Sequence, residues 1–300
     1  MSLLFALFIL KPKLYIKYNY INVAYAFDSQ YYYIAHVSMK SIMINQDFDT
    51  FIIFHILISE ITNKIKTIIG KICIEHKNCK IRYYLLKRKF EEFCTKGYTK
   101  WTKTIFYRIF LQNVLINEKK VLYLDCDTIV YKDLKEIYNY NIERYYYAGM
   151  LQKKSANING YKIKNYINSG VILINLENLR KDNIFSYILK YLRKNNKKLL
   201  FPDQDAINAV CHRKNAILPR KFVTIAYCSL NSINKADIEK INSYKDPYII
   251  HYIIYGKPWK RLIKEKNYIC FDPISRFYEY ARKSSYYYEI LENFKIKIKL

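Results

Sequence analysis

Glycine and proline are scarce, six of each in 300 residues, so collagen-like repeats, flexible Gly/Ser linkers and Pro-rich low-complexity segments are excluded. Acidic side chains are also few, 25 Asp+Glu against 51 Lys+Arg. The seven cysteines, Cys73, Cys79, Cys94, Cys126, Cys211, Cys228 and Cys270, are odd in number and scattered, with no CxxC pair to clip a zinc ion. That usage fits a reduced cytosol. Long apolar runs are missing as well. The opening stretch 2–10 spans nine residues, half of what a bilayer needs, and lacks a basic n-region and a small-residue cleavage site. It reads as a buried or interfacial lead-in. No repeat with a period of 20–50 residues occurs.

What is present is a folding chain: 51% hydrophobic, with 33 Tyr and 16 Phe, above the usual apolar share. The formal charge of +26 attracts polyanions, although heavy use of Lys, Ile, Asn and Tyr is also what an A+T-rich coding sequence produces. The Lys and Arg are dispersed and no RNP, zinc-finger or helix-turn-helix signature occurs, so nucleic acid is not expected as a partner. Near the end, Tyr286, Tyr287 and Tyr288 precede Lys295, Lys297 and Lys299. Such a tail suits the anionic inner face of a membrane, at about 1 kcal/mol per basic residue near the surface.

Apolar patterning predicts a strand at 21–27, a helix at 34–44 and a second strand at 50–58, a β-α-β start with a parallel pair. A helix at 100–115 runs into the strand 121–124. Another strand, 171–175, follows Asn168-Ser169-Gly170. Helices are expected at 179–195 and 204–210, with Asp203 as a cap. Strands alternating with helices make an open α/β sheet, whose ligands sit beyond the carboxyl ends of the strands. After 218 the pattern weakens, and 276–300 reads as an appendage.

Asp125-Cys126-Asp127 follows the apolar Val121-Leu122-Tyr123-Leu124 directly. Two carboxylates one residue apart at the end of a buried strand can converge on a divalent cation, and oxygen ligands suit Mn²⁺ or Mg²⁺. The alternative is an ordinary turn. His251 follows Tyr248-Ile249-Ile250 and stands six residues before Lys257-Pro258-Trp259; its imidazole can complete a metal site while the lysine binds phosphate as a point charge. The alternative is a satisfied core histidine.

Together these pieces resemble the family 8 retaining glycosyltransferases. The resemblance rests on Ala26-Phe27-Asp28-Ser29-Gln30-Tyr31 with Ser38 to Ser41 beyond, Tyr107-Arg108, Val121 to Asp127, Tyr166 to Leu176 around Asn168-Ser169-Gly170, Asp203-Gln204-Asp205-Ala206-Ile207-Asn208, and His251-Tyr252 through Lys257-Pro258-Trp259. Order and spacing match across about 21–260.

The resemblance implies a GT-A type nucleotide-diphospho-sugar transferase fold, α/β with a Rossmann-like mixed central sheet flanked by helices. It divides the chain into a lead-in at 1–20, a transferase domain at 21–262 and a basic aromatic appendage at 263–300. It implies Mn²⁺, with Mg²⁺ as substitute, held by Asp125, Asp127 and His251, and a UDP-hexose donor. Donor contacts carried over by position are Ala26, Asp28 on the uracil, Gln30, Tyr31 stacking on the base, Arg108, Asp125, Cys126, Asn168, Gly256 and the diphosphate-binding Lys257. Asp203 and Gln204 fall at the catalytic positions. Gln204 is an amide and a poor nucleophile, so same-face substitution is favoured over a covalent glycosyl-enzyme.

The acceptor implied is a cell-surface glycan or lipid-linked saccharide, reached from the cytoplasm or the inner membrane face. Alternatives are a basic nucleic-acid- or membrane-surface-binding protein without catalysis, and a glycogenin-like self-glucosylating enzyme. Two positions depart from the family pattern: Ile254 stands where many relatives carry Gly, and Gln30 stands where Asn is frequent.

Overall fold

The structure is a computed structural model that describes residues 17–87, 91–93, 102–195, 198–226, 246–253, 257–260 and 271–294. Its centre is a seven-stranded mixed sheet in the order β3-β2-β1-β4-β7-β6-β8. The first half is built from β1 (Asn19–Ala26), α1 (Tyr32–Asn45), β2 (Thr50–Ile58), α2 (Asn63–Glu75) and β3 (Cys79–Leu85), all three strands parallel. The chain then crosses back by α3 (Tyr107–Val114) to β4 (Lys120–Leu124), which pairs with the other side of β1. The carboxyl ends of β1 and β4 therefore flank a topological switch point, the crevice where open sheets of this kind bind ligands.

Short elements follow: β5 (Thr128–Val130) and α4 (Lys135–Tyr138). In the long hairpin of β6 (Tyr147–Ile158) and β7 (Tyr161–Asn175), β7 pairs antiparallel with β4 on one side and with β6 on the other. Next come α5 (Leu176–Lys181), α6 (Ile184–Asn195), α7 (Pro202–Cys211), β8 (Asn215–Ile217) and β9 (Val223–Ile225), then β10 (Ile249–His251), α8 (Phe271–Arg282) and α9 (Tyr287–Asn293). A second sheet, β5-β10-β9, stands beside the first.

Side-chain alternation in the strands sorts the core into two layers. Val23 and Tyr25 of β1 with Leu122 and Leu124 of β4 face α1 and α2. Ala24, Val121 and Tyr123 face the opposite layer, with α3, α5, α6 and α7.

The early elements form where the apolar pattern places them, except that the expected helix 100–115 is α-helical only over Tyr107–Val114, preceded by a 3-10 turn at Lys103–Phe106. The other differences lie later. The expected helix 179–195 is two helices, because Asn183 adopts a positive φ of 49° between α5 and α6. The strand 171–175 is only the final third of β7, and Asn168-Ser169-Gly170 lies inside that strand. Asp203 is not the cap of α7: Phe201 holds that place and Asp205 Oδ2 accepts the Phe201 N–H at 2.9 Å. The C-terminal helices contribute Phe277, Tyr278, Tyr280, Ala281 and Ile290 to the first core layer, so the described part of 263–300 is packed structure and not an appendage. Residues 2–10, Trp101, Ile254, Gly256 and the tail lysines Lys295, Lys297 and Lys299 lie outside the described residues.

Candidate active site

The apolar β4 strand delivers Asp125 and Asp127 to the switch point. The Asp125 backbone N–H donates to Gly170 O at 2.7 Å, and the Tyr252 N–H donates to Asp127 O at 2.8 Å. Immediately beyond Asp127, β5 pairs antiparallel with β10, setting His251 opposite Thr128. That ladder brings the imidazole to the carboxylates. Beneath the turn, Thr128 Oγ1 donates to Asp125 O at 2.9 Å and shares a buried hydroxyl chain with Ser38 (2.9 Å) and Tyr25 (2.8 Å). Ser41 Oγ accepts the Val130 N–H at 2.9 Å. The serines of α1 thus fix the backbone that carries the acids.

Asp125, Asp127 and His251 each offer one ligand atom, all within 4.8 Å of one another. His251 Nε2 lies 3.6 Å from Asp125 Oδ2 and 3.3 Å from Asp127 Oδ1. Three features fit a divalent cation. The donor set is oxygen and imidazole nitrogen, which suits Mn²⁺. Asp127 Oδ1 is buried and accepts no hydrogen bond. Gly170 leaves open the space between the ligands: a Cβ there would stand 2.2 Å from His251 Cε1 and 2.5 Å from Asp125 Oδ2. Cys126 between the acids points elsewhere, to Ala26 O at 3.9 Å. Burial, with Asp125, Asp127 and Asp28 nearby, raises its thiol well above the usual range.

Two cations bracket the acids. Lys257 Nζ lies 2.9 Å from Asp127 Oδ2 and 3.4 Å from the Tyr31 hydroxyl, over the Tyr31 ring. Burial opposes ionisation of Asp127, yet the Lys257 ammonium and His251 hold its carboxyl well below the usual carboxylate range. On the other side Arg108 is buried. Its Nη2 donates to Asp125 Oδ1 at 2.9 Å, its Nη1 to Ser169 O at 2.7 Å, and its Nε stands 3.1 Å from Asp203 Oδ2. Burial raises the Asp203 carboxyl while the guanidinium pulls it down.

Behind Arg108 the N-terminus of α7 meets β7. Gln204 Oε1 accepts the Ser169 N–H at 2.9 Å, and its Nε2 donates to Gln152 Oε1 and the Tyr166 hydroxyl, both at 2.9 Å. Asn168 Oδ1 accepts the Gly170 N–H, and Asn168 Nδ2 donates to Gln152 Oε1 at 3.3 Å. At the end of β1, Asp28 Oδ1 accepts the backbone N–H of Gln30, whose side chain is exposed. Tyr31 sits edge-on to Trp259.

Of the residues singled out by sequence, Tyr31, Arg108, Asp125, Asp127, Asn168, Asp203, Gln204, His251 and Lys257 converge through these contacts. Ala26 and Cys126 supply backbone support, Asp28 and Gln30 form the rim, and Gly256 is not among the described residues. Sequence reasoning missed three. Tyr123 donates its hydroxyl to Asp125 Oδ1 at 2.9 Å and lies under the Arg108 guanidinium, 4.6 Å away; its spacing of two from Asp125 on a strand was the available signal. Ser169 Oγ donates to Asp203 Oδ2 at 3.1 Å. Gln152 joins Gln204 to Asn168 from a strand whose pairing is irregular between Gly149 and Lys153, a place that periodicity does not single out.

A family model described as glycosyl transferase family 8 matches residues 22–262. A lipopolysaccharide 1,2-glucosyltransferase of Escherichia coli is 27% identical over 254 residues, 79% of this chain and 73% of the relative. The galactosyltransferase LgtC, solved in complex with donor and acceptor sugar analogues, superposes with a TM-score of 0.69 at 21% identity, over 88% of this chain and 96% of LgtC. An LgtC active-site mutant gives 0.70 at 19% identity, over 91% and 100%. These structural likenesses are of fold: a mixed central sheet with flanking helices, the GT-A arrangement.

Proposed function

The chain belongs to glycosyl transferase family 8, and from that premise we propose that it moves a hexose, glucose or galactose, from a UDP-sugar to a cell-surface glycan with retention of configuration. One observation carries this reading: two carboxylates and an imidazole share one point at the switch between β1 and β4, with a lysine on one side and an Arg–Asp pair on the other. Asp125, Asp127 and His251 would hold Mn²⁺ or Mg²⁺. Bound there, the ion neutralises a diphosphate and favours its departure as a Lewis acid.

The remaining work falls to this chain's own groups. Lys257 stays an ammonium, since the neighbouring Asp127, Tyr31 and Asp125 outweigh its burial, and it holds a phosphate oxygen as a point charge. Tyr31 offers a ring face to the uracil and Asp28 its carboxylate edge. Asp203, Arg108 and Asn168 hold sugar hydroxyls. Gln204, its Oε1 held by the Ser169 N–H and its Nε2 by Gln152 and Tyr166, would act as a fixed neutral amide that stabilises positive charge developing on the sugar. The acceptor attacks on the face that UDP leaves, giving its proton to the departing phosphate. Asp203 Oδ2 is engaged by Arg108 and Ser169, which supports a binding role over a nucleophilic one.

The test is Mn²⁺-stimulated release of UDP from UDP-glucose and UDP-galactose. Asp125→Ala and Asp127→Ala are expected to abolish the stimulation, and retained release in both would remove the metal role. Gln204→Ala is expected to lower turnover by roughly 10²-fold with donor affinity kept. A glycosyl adduct on Asp203 detected by mass spectrometry would overturn the same-face mechanism.

A further inference from the structure

A cleft of about 620 Å³ lies away from the donor site, between α6 and the segment that ends α7. The helix α7 connects the two places: Asp203 and Gln204 at its start face the donor site, and Cys211 at its end lines the cleft. Eight helical steps separate Asp203 from Cys211, about 12 Å. The volume falls in the range of small-molecule and saccharide sites.

Its chemistry is one-sided. Tyr146, Tyr187 and Tyr191 line it together with Lys190, Lys194, Arg213 and Lys214, and no carboxylate is among the lining residues. Lys214 is engaged by Asp182 at 3.0 Å. Lys190, Lys194 and Arg213 are exposed and, among the described residues, have no carboxylate within 4 Å. Elsewhere some basic side chains are matched, as Lys135 is with Asp47 and Asp49, Lys40 with Glu75 and Lys119 with Glu177, while others, such as Lys66, Lys77 and Lys80, are exposed on the open surface. What sets the cleft apart from the general basic surface is that its uncompensated cations stand beside tyrosine rings in a concavity. The same charge continues along the adjoining β6–β7 hairpin, where Lys153, Lys154, Lys162 and Lys164 are exposed.

We propose that this cleft binds an anionic saccharide, a phosphorylated or carboxylated segment of the glycan on which the enzyme acts. The inference rests on the transferase reading above. Tyr187 and Tyr191 offer flat apolar faces to the C–H faces of sugar rings, Tyr146, whose hydroxyl is held by Asp182 and Lys214, forms the floor, and lysine and arginine supply the complement to phosphate or carboxylate. Concavity favours a chain of sugar rings over a flat lipid surface. Because α7 is rigid, an acceptor chain held here would be anchored one helix length from the reacting centre and would raise the local concentration of its growing end.

The experiment is calorimetric titration of the full chain with a sulfated heparin-derived hexasaccharide and with a neutral glucan hexasaccharide. Three forms are compared: wild type, Lys190→Glu/Lys194→Glu/Arg213→Glu, and a control, Lys66→Glu/Lys77→Glu/Lys80→Glu, with the same change of net charge on a different face. The expected result is salt-sensitive binding of the sulfated probe alone, weakened by about tenfold or more in the cleft variant and by less than about twofold in the control. Acceptor-free release of UDP from UDP-glucose is expected to be equal in all three. Equal affinity for the neutral probe, equal weakening in the control, or loss only of sedimentation with phosphatidylglycerol vesicles would overturn the proposal. Absence of UDP release from the wild type would instead strike the transferase reading, and the titration would still decide the cleft.

Discussion

At Gly170 the missing side chain is the functional feature. The residue sits in β7 with its Cα turned toward His251 and Asp125, and a methyl group there would overlap both. Gly170→Ala is therefore expected to part the imidazole from the carboxylate and weaken Mn²⁺ binding by about 10–100-fold, read from the electron paramagnetic resonance of free Mn²⁺, with the far-ultraviolet circular dichroism unchanged. Unaltered affinity would mean that His251 is not a ligand. Tyr123 acts from the other side. Tyr123→Phe keeps the aromatic face under Arg108 and removes only the hydrogen bond to Asp125; urea unfolding should show a loss of about 1 kcal/mol and UDP release a severalfold fall. A variant as stable and active as the parent would show that the hydroxyl does nothing for the acid.

Among the elements, α1 combines two tasks. Its serines brace the acidic turn, and its His36 meets the C-terminal helices: His36 Nδ1 lies 3.1 Å from Ser284 Oγ, and Tyr286 packs edge-on to the ring. Burial lowers the imidazole to about 4, against the pull of Glu75, and burial lowers His55 on β2 likewise to about 4. The unfolded chain binds those protons near 6.5. Stability is then complete above pH 6.5 and declines as the pH falls toward 4, by at most on the order of 3 kcal/mol per histidine. Urea midpoints at pH 7.5 and pH 5 should show the decline, and it should be smaller in His36→Asn; an equal decline would assign it to other groups.

Several elements that bury an apolar stripe were legible in sequence: β1, α1, β2, β4 and α7 fall within a residue or two of their patterns, whereas α2, with Ile65, Ile68, Ile69 and Ile72 buried along one side, and β3 were not read. The first half of β7 was not, because Lys162 and Lys164 alternate with side chains of a hairpin arm that only half covers a core. Nor were the three-residue strands β5, β8, β9 and β10, which are specified by their partners. The acids, the histidine and the lysine were legible because polar groups end apolar runs. The supports were only half visible: Ser38 and Ser41 fall in the matched motif, but that they bind Thr128 and the Val130 backbone is seen only in the fold.

For the whole molecule, the described C-terminal helices are structural. Phe277, Tyr278, Tyr280 and Ile290 are buried against the first half of the chain, each worth about 1.5–3 kcal/mol of burial. Removal of 271–300 is expected to abolish cooperative thermal unfolding and leave aggregating protein; a truncated chain melting with its usual midpoint would show that these helices carry no weight. Among the described residues no helix is long and apolar enough to cross a membrane.

The register of β5 against β10 has one more consequence. Carboxylates and imidazole come from far-apart stretches of the polypeptide, so a ribosome-bound intermediate halted before His251 has no complete grip on a cation. Ion capture would report that the last rungs of the small sheet have closed, and by mass action Mn²⁺ at about 100 times its dissociation constant would add about 2.7 kcal/mol of stability. Melting curves with and without Mn²⁺ would show it as a rise of several degrees in the parent and none in Asp127→Ala. The metal would then be a staple between early and late synthesis as well as an aid to chemistry.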